Sequence, residues 1–468
     1  MMTPAMDRLA AEGLSFRRAY CPGATCVASR AAMFTGMYPH NTGVYSFDPW
    51  AEHRNWVQGL NEAGYHCVNI GKMHFTPIRS EGGFHERVIV ENPTNGFLKN
   101  GQADDDWGRF LTHQGQQRPY DRHLTDPEWR QKYQGVVWDL EERFHSDVFI
   151  GDAALSWIRN WQGDKPLFLQ VGFTGPHEPW DPLPRHLALY EEREVPKPVL
   201  REGELEDNPP QHEQHKRRLR DALAHHESGI AMYSPNVADI ARMRHYYAKT
   251  TTVDEKLGEV LDALEERGLL ENSLLIFCSD HGELLGDHGL AYKWLMYEQI
   301  VQVPLIVRDS RRPQLGGRSV EDLVSLIDLA PTVLEAAGVE VPSYFEGCSL
   351  GPYLTGSNDG FTPREYVYCE DNFVVMMRGE RYKLVYYLGQ EQGEVYDLEQ
   401  DPGELWNMWD KATVLREKLL RRLLEWQAAS TYYNAGYKRD RNKQYGMSWP
   451  TTENPGLQSK PASRSVEL

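Results

Sequence analysis

The sequence predicts an α/β protein: a large, mostly parallel sheet covered by helices on both faces, with a smaller C-terminal subdomain made of an antiparallel sheet and a helix. Short apolar runs alternate with amphipathic helical segments through the first three quarters of the chain, which is typical of parallel sheets. The chain has 468 residues, 40% of them hydrophobic, which is enough for one large core and a smaller one. From about residue 361 short alternating segments replace this pattern and indicate a small antiparallel sheet.

Each element of the large domain follows from a local pattern. Short apolar runs predict buried strands, and apolar residues at a 3.6-residue period predict helices. In chain order the predicted elements are a helix from Thr3-Pro4 to Gly13, a short helix over 30–34, strands over 65–70 and 166–173, a helix over 243–267, strands over 273–278 and 303–307, and a helix over 323–337.

These elements predict three parts of the chain. Residues 1–360 form the α/β domain, in which the polar stretch 181–240, rich in Glu, His and Pro, is a surface insertion. Residues 361–430 form the small α+β subdomain, with three strands and a helix from about 412 to 428. Residues 431–468 are polar and are predicted to be an extended tail.

The composition argues against several classes of protein. The net charge of −18 disfavours binding to a phosphate backbone, so no nucleic-acid partner is expected. There is no apolar run of membrane-spanning length and no charged-then-apolar leader, which predicts no membrane association and a cytoplasmic location. The six cysteines are dispersed and indicate neither a disulfide framework nor a structural zinc site. A small molecule is the expected partner, and homo-oligomerisation is left open.

A cysteine and an arginine four residues apart predict an oxyanion site. Ser29 is a candidate N-cap, so Cys26 is placed just before a helix N-terminus, where free backbone N–H groups and the helix dipole favour negative charge. Arg30 adds a permanent, planar cation. A lone free cysteine is more often a small buried hydrophobic residue, and the pair by itself leaves that alternative open.

Further polar residues directly follow three of the predicted strands. They are Lys72 with His74, His177, and Asp280 with His281. Because the binding crevice of a parallel sheet lies beyond the carboxyl ends of its strands, these residues are expected to form one composite site. A carboxylate beside an imidazole suits a divalent ion such as Ca²⁺ or Mn²⁺. Taken singly, each of these residues is more often a surface or structural residue.

Taken together, these segments resemble the type I sulfatases of the alkaline phosphatase superfamily, in which the cysteine of Cys-x-Pro/Ala-x-Arg is oxidised to formylglycine. The matching segments are Cys26-Val-Ala-Ser-Arg30 with Thr35-Gly36, Gly71-Lys72-Met-His74, Thr174-Gly-Pro-His177, Ser279-Asp280-His281-Gly282, and Lys293. A last match over 394–404 extends the resemblance to roughly the whole chain.

The resemblance implies a sulfuric ester hydrolase, arylsulfatase-like, that acts on a small-molecule sulfate ester. It also implies one divalent metal ion (Ca²⁺ or Mn²⁺) and a formylglycine made from Cys26 by a formylglycine-generating maturase. The implied metal ligands are Asp280, His281 and Cys26. The implied catalytic residues are Cys26, Arg30, Lys72, His74, His177 and Lys293. In this scheme His177 and Lys293 hold the anion or protonate the departing alcohol, and His74 is the base.

Two departures from the family pattern lead to further expectations. Family members usually begin with a strand that carries one or two Asp ligands, whereas this chain begins at the helix that normally follows. The metal site is therefore expected to be short of at least one carboxylate, or a preceding segment is missing from the sequence. Ala28 replaces the commoner Pro of the oxidation motif, which is compatible with a radical-type maturase.

Two other functions remain as alternatives. The same formylglycine and metal apparatus serves hydrolysis of phosphonate monoesters or phosphodiesters. The second alternative is that the chain is an inactive, anion-binding relative that lacks its first metal ligand.

Overall fold

A computed structural model describes residues 1–45, 48–91, 105–118, 135–206, 208–212, 240–356 and 361–434. Within these ranges helices α1 to α12 span, in chain order, Pro4–Glu12, Cys26–Thr35, Pro39–Thr42, Trp56–Glu62, Asp106–His113, Ser146–Asn160, Pro184–Leu187, Ile240–Glu266, Glu298–Val301, Leu329–Ala336, Gly351–Thr355 and Thr413–Tyr433. Strands β1 to β11 span Leu14–Tyr20, His66–Gly71, Glu86–Ile89, Leu167–Gly172, Leu274–Cys278, Gln302–Asp309, Arg318–Ser325, Val367–Asp371, Val374–Arg378, Tyr382–Tyr387 and Glu394–Asp397.

The first seven strands form two sheets. One sheet has the order β5-β6-β1-β7, in which β1 is parallel to β7 while β6 runs antiparallel to both β1 and β5. The other has the order β3-β2-β4, and both of its strand pairs are parallel. The predicted α/β class is therefore confirmed, and the antiparallel pairs among these strands all involve β6.

Helix α8 lies across both sheets. Its residues Val260 and Ala263 belong to the apolar core that contains β2 and β4. On its other side Leu261 packs with Phe277 of β5 and Ile306 of β6. Strands β4 and β5 are edge strands, and nearly all of their residues are only half-buried. Their carboxyl ends lead into the two segments that supply much of the candidate site.

Helix α1 is confirmed, although its N-terminus is held by a different residue from the one that the sequence suggests. Pro4 occupies the first turn, where a missing N–H costs nothing, but the Thr3 side chain makes no capping bond. Instead, the Asp254 carboxylate on α8 accepts the N–H groups of Ala5, at 2.9 Å, and Met6, at 2.8 Å. A tertiary contact therefore satisfies the free amides of this helix.

The predicted helix over 323–337 is wrong at its beginning. Residues up to Ser325 belong to strand β7, a 3₁₀ turn spans Leu326–Asp328, and helix α10 follows. The Asp328 carboxylate fixes this turn because it accepts the N–H groups of Ser325, at 2.8 Å, and Cys348, at 2.7 Å. Apolar residues that continue from a buried strand into a helix give no periodic signal at the boundary.

The C-terminal subdomain is a four-stranded antiparallel sheet of order β11-β10-β9-β8 with α12 packed on it. Trp426 of α12 stacks on Tyr368 of β8 at a ring distance of 3.8 Å. Helix α12 ends at Tyr433, slightly beyond the predicted boundary at 430. The predicted tail from residue 435 onward lies outside the described residues.

The subdomain is joined to the large domain by buried polar contacts. The Lys383 ammonium lies 3.1 Å from Glu298 and 2.6 Å from Glu404, and Lys383 has no exposed surface. The Glu370 N–H donates to the carbonyl of Pro22, only four residues before Cys26. The small sheet therefore supports the segment that leads into the predicted oxyanion site.

The stretch 181–240 is described up to residue 212, and residues 213–239 lie outside the described part. The described portion reaches both domains, since His212 lies 2.9 Å from Glu394 and His288 contacts Glu204. Both histidines are buried. No helix among the described residues combines the length and the apolar composition that crossing a bilayer requires.

Candidate active site

Cys26 is the first residue of helix α2, and 2% of it is exposed. Cys26 lies inside the helix rather than just before it, because the helix begins four residues earlier than predicted and Thr25 rather than Ser29 is the N-cap. Ser29 lies inside the first turn, where its hydroxyl donates to the carbonyl of Asp280 at 2.6 Å. Gly36 ends the helix with a φ of 70°, a conformation that glycine adopts readily. The free amides of the first turn thus lie beside Cys26.

Arg30 connects three segments of the site. Its Nε donates to Asp280 at 2.7 Å, and its Nη1 donates to the carbonyl of Lys72 at 2.8 Å. The guanidinium is buried, so these charge-assisted hydrogen bonds replace the water that it loses. The ends of β2 and β5 are thereby fixed against helix α2.

The structure brings together residues from all three predicted strand ends. The Lys72 ammonium lies 3.8 Å from Asp280, and the His281 Nε2 lies 3.0 Å from the Cys26 Sγ. His177, which follows β4, lies close enough to the same thiol to lower its pKa. Lys72, His177 and the Asp280–His281 pair therefore meet at Cys26, while their role as one composite active site stays a prediction.

Hydrogen bonds from two buried side chains hold the backbone of the loop that carries His177. The Asp147 carboxylate on α6 accepts the N–H groups of Thr174, at 2.9 Å, and Gly175, at 2.8 Å. On the other side, Lys249 of α8 donates to the carbonyl of Pro179 at 2.8 Å. All of the side chains in these contacts are buried, so His177 is presented from a fixed loop.

The two histidines at Cys26 are oriented in the same way. The Nδ1 of His177 lies 2.7 Å from the carbonyl of Glu178, and the Nδ1 of His281 lies 2.7 Å from the carbonyl of Gly282. A carbonyl oxygen only accepts, so each Nδ1 carries the proton. In the neutral rings Nε2 then has a free lone pair, which is the form that binds a metal ion.

The electrostatic field at Cys26 is positive. Burial raises the pKa of the Cys26 thiol, but Lys293, Lys72 and His281 outweigh it, so the pKa lies well below its ordinary value. Cys278 shows the opposite balance, because burial raises the pKa of its thiol to about 12. The field that favours a thiolate at position 26 also favours a sulfate oxygen.

Lys293 is held among carboxylates that the sequence analysis did not identify. Burial lowers the pKa of the Lys293 ammonium, but Cys26, Glu178 and Glu283 outweigh burial and raise it. Lys293 is 3% exposed and is therefore a buried cation. Both glutamates lie within two residues of a predicted site histidine, and this proximity in sequence could have suggested them.

His74 occupies a buried position after β2, with a φ of 62°. Its backbone N–H donates to Glu91 at 2.9 Å, and its Nε2 lies 3.6 Å from the other oxygen of the same carboxylate. Glu91 is thus a further residue that sequence reasoning missed. The role of His74 as a base stays a prediction.

The predicted metal ligands form a cluster with suitable donor atoms. One ligand atom each from Cys26, Asp280 and His281 lie within 4.8 Å of one another. Burial raises the pKa of Asp280, but Arg30 and Lys72 outweigh burial and lower it, so this carboxylate is ionised at neutral pH. With an anionic carboxylate and a correctly oriented imidazole, these residues fit a divalent cation.

Comparison with known proteins agrees with this geometry. Residues 1–339 match the family described as Sulfatase, and residues 286–429 match the family described as N-sulphoglucosamine sulphohydrolase, C-terminal. An arylsulfatase of Clostridium perfringens is 29% identical over 428 residues, which cover 87% of this chain and 85% of that protein.

Solved structures share the fold. A protein in complex with its substrate D-glucosamine-2-N,6-O-disulfate has a TM-score of 0.67 and 26% identity, with 93% of this chain and 94% of that chain covered. The phosphonate monoester hydrolase of Agrobacterium radiobacter has a TM-score of 0.74 and 22% identity, with coverage of 92% and 91%.

The chain belongs to the sulfatase family, in the alkaline phosphatase superfamily. As a member of this family it is a sulfuric ester hydrolase.

Proposed function

We propose that this sulfatase cleaves sulfate esters with a formylglycine derived from Cys26 and one divalent cation held by residue 26, Asp280 and His281. The observation that carries the proposal is the meeting of Cys26 with the His281 Nε2, 3.0 Å away, at a helix N-terminus in a positive field. A hydrated aldehyde supplies two hydroxyl groups on one carbon, and the cation supplies Lewis-acid activation.

Other residues of the chain bind the sulfate group, position Asp280 and donate a proton. Lys72 and Lys293 are buried cations that bind the oxygens of the sulfate group. Arg30 holds the Asp280 carboxylate in place and keeps it ionised. His177 lies beside residue 26 and delivers a proton to the departing alcohol oxygen. Burial lowers the pKa of His177, whereas a bound sulfate anion raises it. The ring therefore gains its proton when the substrate binds and can then donate it.

Mass spectrometry tests the modification. After co-expression with a radical-type maturase, the peptide containing Cys26 should carry the mass of the aldehyde or its hydrate, whereas a Cys26→Ala variant should not. Sulfatase turnover by protein whose thiol is entirely unmodified would overturn the formylglycine mechanism.

A substrate panel tests the reaction class. The kcat/KM for aryl sulfates should exceed that for phosphonate monoesters with the same leaving group, and Cys26→Ala should lack both activities. A higher kcat/KM for the phosphonate would favour the alternative, hydrolysis of phosphonate monoesters by the same residues.

Titration with Mn²⁺ and Ca²⁺ tests the metal ligands. We expect tighter binding of Mn²⁺, because an imidazole nitrogen suits Mn²⁺ better than Ca²⁺. Asp280→Asn and His281→Ala should weaken binding. Asp287→Asn, in a second Asp-His pair outside the cluster, is the matched control. Equal metal affinity in the Asp280 variant and the control would contradict the assignment.

A further inference from the structure

The backbone around Lys293 is strained. Four non-glycine residues of this segment have positive φ angles: Leu285 at 49°, His288 at 58°, Tyr292 at 70° and Trp294 at 78°. Side chains with a Cβ adopt this conformation rarely, because the Cβ approaches the backbone too closely. Two of the four directly flank Lys293. Such conformations persist only where surrounding contacts hold them.

The carboxylate of Glu283 supplies such a contact. One of its oxygens accepts the N–H of Tyr292, the residue before Lys293, and also the N–H of Leu285 at 3.4 Å. The same side chain therefore bridges the two ends of the strained segment. Backbone hydrogen bonds also hold this segment, such as the one from the Leu284 N–H to the Tyr292 carbonyl at 3.1 Å.

Glu283 is itself attached to a fixed part of the fold. Its backbone N–H donates to the carbonyl of Gln299 at 3.1 Å, and the N–H of Gly282 donates to the carbonyl of Ile300 at 2.7 Å. Ile300 is completely buried in the main core. The Glu283 carboxylate therefore fixes the peptide that precedes Lys293 relative to this core.

We propose that Glu283 is a positioning residue: its carboxylate oxygen holds the peptide before Lys293 and thereby sets where the Lys293 ammonium meets the sulfate group. The inference rests on the proposed function, in which Lys293 binds the sulfate oxygens. Arg30 and Asp280 are held by contacts of their own, so loss of Glu283 acts through Lys293.

Binding of inorganic sulfate to the holoenzyme, measured by calorimetry, tests this role. Glu283→Ala should weaken sulfate binding roughly ten-fold, the effect of leaving one buried backbone N–H without its acceptor. Glu283→Gln keeps an acceptor oxygen at the same place and should stay within about three-fold of wild type. Equal losses in the two variants would show that charge rather than the acceptor matters, and would overturn the proposal.

A double-variant comparison separates this effect from general damage. In a Lys293→Ala background, Glu283→Ala should change sulfate affinity no further, because both changes act on one group. Full additivity would contradict the proposal. Asp401→Ala is the matched control: this carboxylate also accepts two backbone N–H groups, from Leu405 and Trp406, but in the C-terminal subdomain. It should lower Tm without changing sulfate affinity.

The proposed function and this inference fail in distinguishable ways. Wild-type sulfate affinity in Lys293→Ala would remove the assigned role of Lys293 itself. Weak binding in Lys293→Ala together with normal binding in Glu283→Ala would overturn the positioning role alone. If Glu283→Ala does not fold, hydrogen exchange of wild-type protein still decides: the Tyr292 amide should be protected, and rapid exchange would contradict the bridge.

Discussion

Arg30 is the residue on which most of the site geometry depends. Its planar group satisfies a carboxylate on one strand end and a backbone carbonyl on another at the same time. A lysine ammonium of similar reach is a point charge, which cannot reproduce this fixed pair of directions. The distinction between the two cations is therefore one of geometry rather than of charge.

Arg30→Lys should consequently lower kcat/KM for an aryl sulfate by roughly ten- to a hundred-fold, the range for loss of a charge-assisted hydrogen bond in a buried site. The Arg54→Lys variant is the control, since Arg54 pairs with Glu62 on the surface, where both side chains are at least half exposed. It should leave kcat/KM unchanged. Comparable effects of the two variants would mean that Arg30 contributes only charge.

The ionisation of Cys26 reports the field of the site before any modification. In unmodified, metal-free protein the thiol should ionise at a pH well below that of a free thiol, since Lys293 and Lys72 overcome the effect of burial on its pKa. The thiolate absorbance of wild type minus Cys26→Ser, followed against pH, measures this pKa. Lys293→Ala should raise it, and a midpoint at the ordinary value of a free thiol would contradict the positive field.

At the scale of single elements, helix α1 depends on a residue about 250 positions away. Asp254→Ala leaves two N–H groups of α1 without an acceptor, so the free energy of unfolding should fall by about 1–2 kcal/mol. Asp262→Ala is the control, because Asp262 lies on α8 like Asp254 but the change removes only an exposed ion pair with Arg8. That change should cost about 0–1 kcal/mol. Chemical denaturation of the three proteins gives the comparison.

Sequence patterns predicted the elements whose signal is local. Short, mostly apolar runs located β2, β4 and β5, and a long 3.6-residue period located α8. Strand β1 was missed because Arg17 and Arg18 interrupt its apolar pattern, although the strand lies at the centre of a sheet. The β7 segment was taken for the start of a helix because its last residues are as apolar as the helix that follows.

The site was predictable to the extent that its residues lie at strand ends. Lys72 and Asp280, which follow β2 and β5, lie 3.8 Å apart, as the convergence of strand ends in an α/β fold predicts. The capping role of Asp254 was not predictable, since it depends on how α1 docks on α8. The bridge from Glu283 to Tyr292 likewise depends on a loop conformation that no residue pattern predicts.

At the scale of the whole molecule, Lys383 binds the two domains together. Lys383→Met removes a fully buried ammonium and leaves the carboxylates of Glu298 and Glu404 without their shared cation. Breaking a buried pair in this way costs about 3–5 kcal/mol. The control, Arg422→Met, removes an ion pair with Glu365 on the surface and should cost about 0–1 kcal/mol. Equal unfolding midpoints for the two variants would contradict the role of Lys383.

The contact between Glu370 and the segment before Cys26 has a consequence for biosynthesis. Cys26 is almost completely covered in the folded protein, and the segment that leads into it is held by a strand about 340 residues later in the chain. If Cys26 is oxidised as proposed, the oxidising enzyme must reach the thiol before folding buries it, and the segment that carries it is in place only once this strand has been made. Synthesis at about 5–20 residues per second leaves it roughly 20–70 seconds. The active fraction of the protein would then be decided on the ribosome, by competition between oxidation and folding, and slower translation would increase it.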